Sequence, residues 1–262
     1  MSRDAYYKHS KRSSDCHKRD CKVLEFTKDV RSLHPHMGGK KLHHEIKDRL
    51  VVAGLQLGRD RFFDVLRENN MLIKVKRRFQ KTTYSRHEYA IAPNRIKNLA
   101  VTKPNQVFVS DITYITLGRG FCYLYLLTDL CSRKILGYEL SSRLTHKGAV
   151  AALQMATKKL PVTANIIHHS DRGCQYCCNE FLQVLKEKKM LSSMTDESHC
   201  YQNAVAERVN GILKLEYYLD STFKSLEQAR LAVKDAINIY NSKRIHWSLK
   251  LKTPDQVYSL AA

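Results

Sequence analysis

Three acidic residues occupy positions where an acid needs a chemical reason. Asp111 interrupts the apolar stretch Val107-Phe108-Val109-Ser110-Asp111-Ile112-Thr113-Tyr114-Ile115, where an uncompensated charge costs several kcal/mol. A bound cation would compensate it, and so would hydrogen bonds on an edge strand; the sequence leaves both open. Asp171 follows Ile166-Ile167-His168-His169-Ser170 and precedes Arg172-Gly173. That puts it at the C-terminal end of a strand, where α/β sheets gather their ligand sites, or makes it a turn residue capping Gly173. Glu207 lies on a helix. Steps of about 100° per residue place Asn203, Glu207, Asn210, Gly211 and Lys214 on one stripe, with Val205, Val209 and Ile212 opposite. Such a stripe either presents polar groups to a partner or is a solvated face.

Carboxylates from two strands and a helix form an oxygen-donor set suited to Mg²⁺, which binds through few carboxylates and completes its shell with phosphate oxygens. Two such ions about 3.5–4 Å apart activate an attacking oxygen and stabilise the leaving one during displacement at phosphorus. The sequence has no G-x-S-x-G elbow, no Walker loop and no zinc-deaminase H-x-E…P-C-x-x-C signature. Serine-nucleophile hydrolysis, P-loop nucleotide hydrolysis and zinc-dependent deamination therefore have no machinery here.

Periodicity predicts the elements that must carry these residues. Strands are expected over 107–115, 121–130 and 134–141, separated by Gly118-Arg119-Gly120 and Cys131-Ser132-Arg133, as an antiparallel meander. A helix over 145–160, a strand over 165–169, a helix over 179–189, a strand over 191–194 and helices over 204–218 and 225–241 follow. This order predicts an α/β fold, an RNase H-like mixed sheet flanked by helices. Upstream, Leu42, Ile46 and Leu50 recur every four residues until Gly54, and Phe62, Val65 and Leu66 share a face after Gly58. Two short helices of this kind are either a DNA-binding helix-turn-helix or an ordinary helical hairpin. The basic stretch Lys74, Lys76, Arg77, Arg78, Lys81 and Arg86, interleaved with Phe79 and Tyr84, favours the DNA-binding reading. The expected organisation is a flexible, partly helical segment over 1–36, a small all-α helix-turn-helix-like region over 37–73, a basic linker over 74–104 and a catalytic core over 105–262.

Bulk properties narrow the partners. The 262 residues include 45 Lys and Arg against 25 Asp and Glu, a formal charge of +20, which points to a polyanion. No apolar run reaches the roughly 18 residues of a membrane helix, and the polar N-terminus lacks a signal-peptide pattern, so a cytoplasmic, nucleoid-associated protein with no membrane partner is expected. The eight cysteines are scattered. Neither Cys174, Cys177 and Cys178 near His168, His169 and Cys200, nor Cys16, His17 and Cys21, supplies the second ligand pair of a structural zinc site, so free thiols are expected.

At these residues the chain resembles the transposases of the insertion-sequence-three family, whose catalytic domain is similar to that of retroviral integrases. The matching stretches are Val109-Ser110-Asp111-Ile112-Thr113-Tyr114-Ile115, His169-Ser170-Asp171-Arg172-Gly173 with Gln175-Tyr176, and Asn203-Ala204-Val205-Ala206-Glu207 with Lys214. Thirty-five residues separate Asp171 from Glu207, the spacing of the family's D-D-35-E signature. The likeness continues through Tyr240-Asn241, Arg244, His246, Ser248-Leu249 and Thr253-Pro254, and back to Met37-Gly38 and Gly58-Arg59-Asp60-Arg61.

The resemblance implies a bacterial DDE transposase that nicks the 3′ end of an element and joins the freed 3′-OH to target DNA. Asp111, Asp171 and Glu207 would be the catalytic residues and the ligands of Mg²⁺, with Mn²⁺ as a substitute. DNA contacts are expected at Lys214, Arg172, Asn203 and Asn210 in the core, at Lys74, Lys76, Arg77 and Arg78 in the linker, and at Arg59 and Arg61 in the helical region. Synapsis of two ends implies a homo-oligomer on DNA. Active enzymes of this family are usually frameshift fusions, so the chain would be the downstream product, with the upstream-frame product as a partner. Phe108 replaces a usual Trp, Cys178 a common Ser and Ile245 a common Pro; none is a metal ligand. A non-catalytic DNA-binding regulator would leave three carboxylates in a basic surface without purpose, since they repel phosphate unless metal intervenes. A ribonuclease acting on RNA–DNA hybrids would leave the upstream helices and basic linker unexplained.

Overall fold

In the computed structural model of the chain, which describes residues 3–73, 89–158, 160, 165–196 and 203–260, helical periodicity and strand alternation fall into separate units, Met1–Arg77 and Arg78–Ala262. The first unit is built from α1 (Arg3–Leu33), α2 (Gly39–Val52) and α3 (Arg59–Glu68). Leu42, Ile46 and Leu50 of α2 face Phe62, Val65 and Leu66 of α3 in one core. Gly54, at φ +70°, ends α2: the Gly54 amide donates to Val51 O at 2.9 Å and the Leu55 amide to Leu50 O at 2.8 Å, a Schellman closure that the missing Cβ makes cheap. Over 1–36, where a flexible, partly helical segment is expected, the helix is longer than its periodicity around Val23 to Leu33 suggests. It is a 31-residue helix whose Val23 enters the core of α2 and α3, because two helices this short cannot bury a core alone. Asp20 pairs with Arg61 at 2.6 Å and Asp29 with Arg49 at 2.6 Å, tying α1 to both.

The second unit is a five-stranded sheet of order β3-β2-β1-β4-β5. Its strands are β1 (Val107–Thr116), β2 (Phe121–Asp129), β3 (Ile135–Ser141), β4 (Ile167–Ser170) and β5 (Leu191–Met194). β1, β2 and β3 pair antiparallel, whereas β4 runs parallel to both β1 and β5. On one face α4 (His146–Thr157), α5 (Cys174–Cys177) and α6 (Asn179–Glu187) cover Phe108, Tyr125 and Leu127. On the other, α7 (Ala204–Glu216) and α8 (Leu226–Lys243) cover Ile115, Cys122, Leu124 and Leu126. A short 3-10 turn, Trp247–Leu249, and α9 (Pro254–Ser259) end the unit. Buried Arg244 fixes the end of α7 through Glu216, its Nε and Nη2 donating at 2.8 and 2.7 Å.

The expected linker over 74–104 divides. Residues 74–88, with Lys74, Lys76, Arg77 and Arg78, lie outside the described residues. Residues 89–104 pack on the sheet rather than spanning between units: the Arg95 amide donates to Ser193 Oγ at 2.9 Å, and Ile96 and Val101 cover Val107 and Val109.

Candidate active site

Strand register brings the two aspartates together. Val109 on β1 pairs with His169 on β4 in a parallel ladder, so Asp111 within β1 and Asp171 just past β4, each two residues further on, come to one level on one side. β4 ends at Ser170, which releases Asp171 at the carboxyl end of the strand. Asp171 also makes the turn expected of it, its Oδ1 accepting from the Gly173 amide at 3.0 Å. α7 crosses this level with exposed Glu207 in its first turn.

The three acids feel one another. Burial, then the charge of Asp171, pushes the Asp111 carboxyl from 3.8 up to about 7, against two donors that act in the opposite direction. Those donors are Asn210 Nδ2, 2.7 Å from Oδ2, and the Ile112 amide, 2.9 Å from Oδ1. Glu207 is also raised, by burial and by Asp171. Lys214 is lowered by burial, with Asp111 acting the other way, and its Nζ lies 4.2 Å from the centre of the Tyr114 ring. A contrast is Asp129, whose Oδ1 accepts from the Ser132 amide and hydroxyl at 2.7 and 2.6 Å and whose Oδ2 accepts from the Asn105 amide at 2.9 Å. Asp129 is a satisfied structural acid, whereas Asp111 keeps like charges as neighbours and lacks a matching set of donors.

Two expected DNA contacts turn inward. Asn203 and Asn210 are 3% and 5% exposed. Asn203 Nδ2 donates to the Ser110 carbonyl at 2.9 Å, while Asn210 grips Asp111. The stripe containing Glu207 therefore has a buried edge that clamps α7 to β1 and a rim formed by Glu207 and Lys214. Arg172 is half-buried with Nε donating to Thr195 O at 2.9 Å. In the first unit Arg59 is exposed beside Asp60, and Arg61 is engaged by Asp20 and Glu68.

Behind the acids lies a polar support with no signal in the sequence. His168 Nε2 sits 2.8 Å from Ser110 Oγ, and His169 Nδ1 2.9 Å from Ser193 Oγ, linking β1 to β4 and β4 to β5. Tyr176 packs on His168 with ring centres 5.7 Å apart. None of the seven described cysteines is in a disulfide.

The donor set passes a test for a hard divalent cation. It is made of carboxylate oxygens, and the like-charge strain on Asp111 is what a cation would relieve. The oxygen of Asn210, whose Nδ2 holds Asp111, is itself buried without a partner among the described residues.

Comparisons with known proteins agree with this geometry. An integrase core domain model matches residues 101–200 and a second integrase core model residues 188–254. The "Insertion element IS600 uncharacterized 31 kDa protein" of Shigella sonnei is 34% identical over 203 residues, 77% of this chain and 75% of that protein. The "Transposase InsF for insertion sequence IS3A" of Escherichia coli (strain K12) is 34% identical over 183 residues, 69% of this chain and 64% of that protein. A chain of the simian T-cell lymphotropic virus intasome, solved by cryo-electron microscopy in complex with PP2A regulatory subunit B56 gamma, matches 88% of this chain and 74% of its own with a TM-score of 0.52. At 17% identity that likeness concerns the fold alone. Sheet order, the meeting of three carboxylates and relatives of this extent lead to one assignment: the chain belongs to the insertion-sequence-three family of DDE transposases, with an RNase H-like integrase core.

Proposed function

We propose that this chain cleaves the 3′ ends of an insertion element and transfers them to target DNA, with Asp111, Asp171 and Glu207 holding Mg²⁺, or Mn²⁺ in its place. The observation that carries this reading is geometric: the β1–β4 register sets Asp111 level with Asp171, and both interact electrostatically with Glu207 on α7, giving an oxygen-donor set that suits a divalent ion. A pair of bound ions would activate the attacking oxygen and stabilise the leaving one. Asp111 offers oxygens from within β1 and Asp171 from just past the end of β4, and Glu207 closes the set from α7. Asn210 fixes the Asp111 rotamer. Lys214, at the rim, places positive charge beside the DNA strand being cut.

Further phosphate contacts are assigned to Arg172, to Arg59 and Arg61 on α3, and to Lys74, Lys76, Arg77 and Arg78 in sequence beside them, with α2 and α3 as the helix-turn-helix. Asn203 and Asn210 act as clamps for β1 rather than as DNA contacts. A homo-oligomer on paired element ends and association with the upstream-frame product belong to the same reading, as does residence on nucleoid DNA in the cytoplasm.

The test is strand transfer by the purified chain with labelled element-end DNA and Mg²⁺, beside Glu207→Gln, Asp111→Asn and Asp171→Asn. Each variant is expected to lose at least about a hundredfold in joined product while binding DNA as well or better, because ligand loss disables metal chemistry and removes negative charge. Full activity in one variant removes that residue from the site. Binding without joining by the unaltered chain supports the regulator instead.

A further inference from the structure

Away from the triad, α4 and α6 bring together a second set of metal-ligating side chains. A ring nitrogen of His146, the thiol of Cys178 and a carboxylate oxygen of Glu180 all lie within 4.8 Å of one another. His146 opens α4, Cys178 is the N-cap of α6 and Glu180 sits in that helix's first turn, so residues 32 apart in sequence converge.

We propose that His146, Cys178 and Glu180 form a separate site for a Zn²⁺-type transition-metal ion, bridging the N-termini of α4 and α6. Nitrogen, sulfur and carboxylate oxygen are the donors Zn²⁺ takes, at about 2.0–2.3 Å, and a thiolate selects it over Mg²⁺. Bonds of that length in a tetrahedron hold donors roughly 3.3–3.8 Å apart. Closing the cluster around an ion therefore asks for shifts of about an ångström, which rotation of the exposed Glu180 and half-buried His146 side chains provides. Cys178 is buried, and burial raises its thiol. Its proton leaves to solvent as the ion binds, and its place at a helix N-terminus favours the thiolate. The two helix N-termini disfavour a cation, a weak opposition beside three metal–ligand bonds. Three protein donors leave the fourth position to water. The ion would pin the start of α6 to α4, and with it the α5 segment that follows Asp171. This site stands independently of the transposition chemistry.

The experiment uses the full chain, freed of metal, in a Cys16→Ser, Cys21→Ser background. That background removes the exposed Cys21 thiol, whose Sγ lies 3.7 Å from His17 Nε2, as a competing ligand. Titration with Co²⁺ should give one equivalent with a near-ultraviolet thiolate-to-cobalt charge-transfer band, reversed by one equivalent of Zn²⁺. The triad has no sulfur and cannot produce that band. Cys178→Ser should abolish it, and His146→Ala or Glu180→Gln should weaken Zn²⁺ binding at least about tenfold in competition with a chromogenic chelator. Serine is a favoured N-cap, so Cys178→Ser should keep the circular dichroism of the parent. A band that survives in folded Cys178→Ser, or absence of the band in the parent, overturns the proposal.

Discussion

Burial acts in opposite directions on the acid and the histidines at the centre of this sheet. Asp111 is pushed from 3.8 up to about 7, whereas His168 and His169 are pushed by burial from 6.5 down to about 3 and about 4. Between pH 6.5 and 4 the unfolded chain takes up two protons on these histidines that the folded chain refuses. Over the same window the folded chain holds a proton on Asp111 that the unfolded carboxylate mostly releases. Each difference of one proton is worth up to about 1.4 kcal/mol per pH unit. The histidines therefore make acid destabilising, and Asp111 offsets about half of that. Asp111→Asn removes the offset. Without divalent metal, its stability should fall with decreasing pH more steeply than that of the unaltered chain, by up to about 1.4 kcal/mol per unit, in urea denaturation across the window. Parallel slopes would mean that Asp111 stays ionised in the metal-free fold and that the like-charge argument for the cation is wrong.

Among the elements, α4 comes unusually close to the sheet because glycine stands at the contact. A Cβ on Gly137 of β3 would lie 2.0 Å from Ala152 O and 2.9 Å from Ala156 N, both backbone atoms of α4, whereas a Cβ on Gly211 of α7 would meet nothing within 4 Å. Gly137→Ala must push helix from strand and should cost about 1–3 kcal/mol or more. Gly211→Ala gains helix propensity and should add up to about 1 kcal/mol. Denaturant midpoints moving in the same direction would refute the close-approach argument. This contact is also a measure of what the sequence discloses. Strand alternation places β1 to β5 because each is long or flanked by turns, yet nothing in it says that Gly137 faces a helix backbone. The four-residue α5 and six-residue α9 are too short to show a helical period, and the polar sequence at the start of α1 carries no apolar repeat that would mark a helix. At the site, Asp111, Asp171 and Glu207 are legible because each breaks or punctuates a pattern. Asn203 and Asn210 are misread because a helical projection groups residues into a stripe without saying which edge of the stripe is buried. His168 and Ser110 meet only through strand pairing, 58 residues apart, where periodicity carries no information.

For the molecule as a whole, the charge of +20 is the property that should dominate association with DNA. Each phosphate neutralised releases condensed counterions, so the logarithm of affinity falls with the logarithm of salt at a slope of about −0.9 per contact. If about six phosphates are engaged, binding to duplex DNA should weaken roughly a thousandfold between about 50 and about 200 mM salt. The cations need not contribute equally. Arg59 is exposed and pairs with Asp60 among the described residues, so Arg59→Ala should lower the slope by about one unit. Arg61 is held by Asp20 at 2.6 Å and Glu68 at 2.9 Å, so Arg61→Ala should act first on the stability of the helical unit, where exposed pairs of this kind contribute about 0–1 kcal/mol, and change the slope less. Fluorescence anisotropy of labelled duplex across a salt series separates these outcomes. A flat dependence for the unaltered chain would remove phosphate neutralisation as the main source of affinity, and an equal fall in slope for both variants would show that Arg61 leaves its acidic partners to engage DNA.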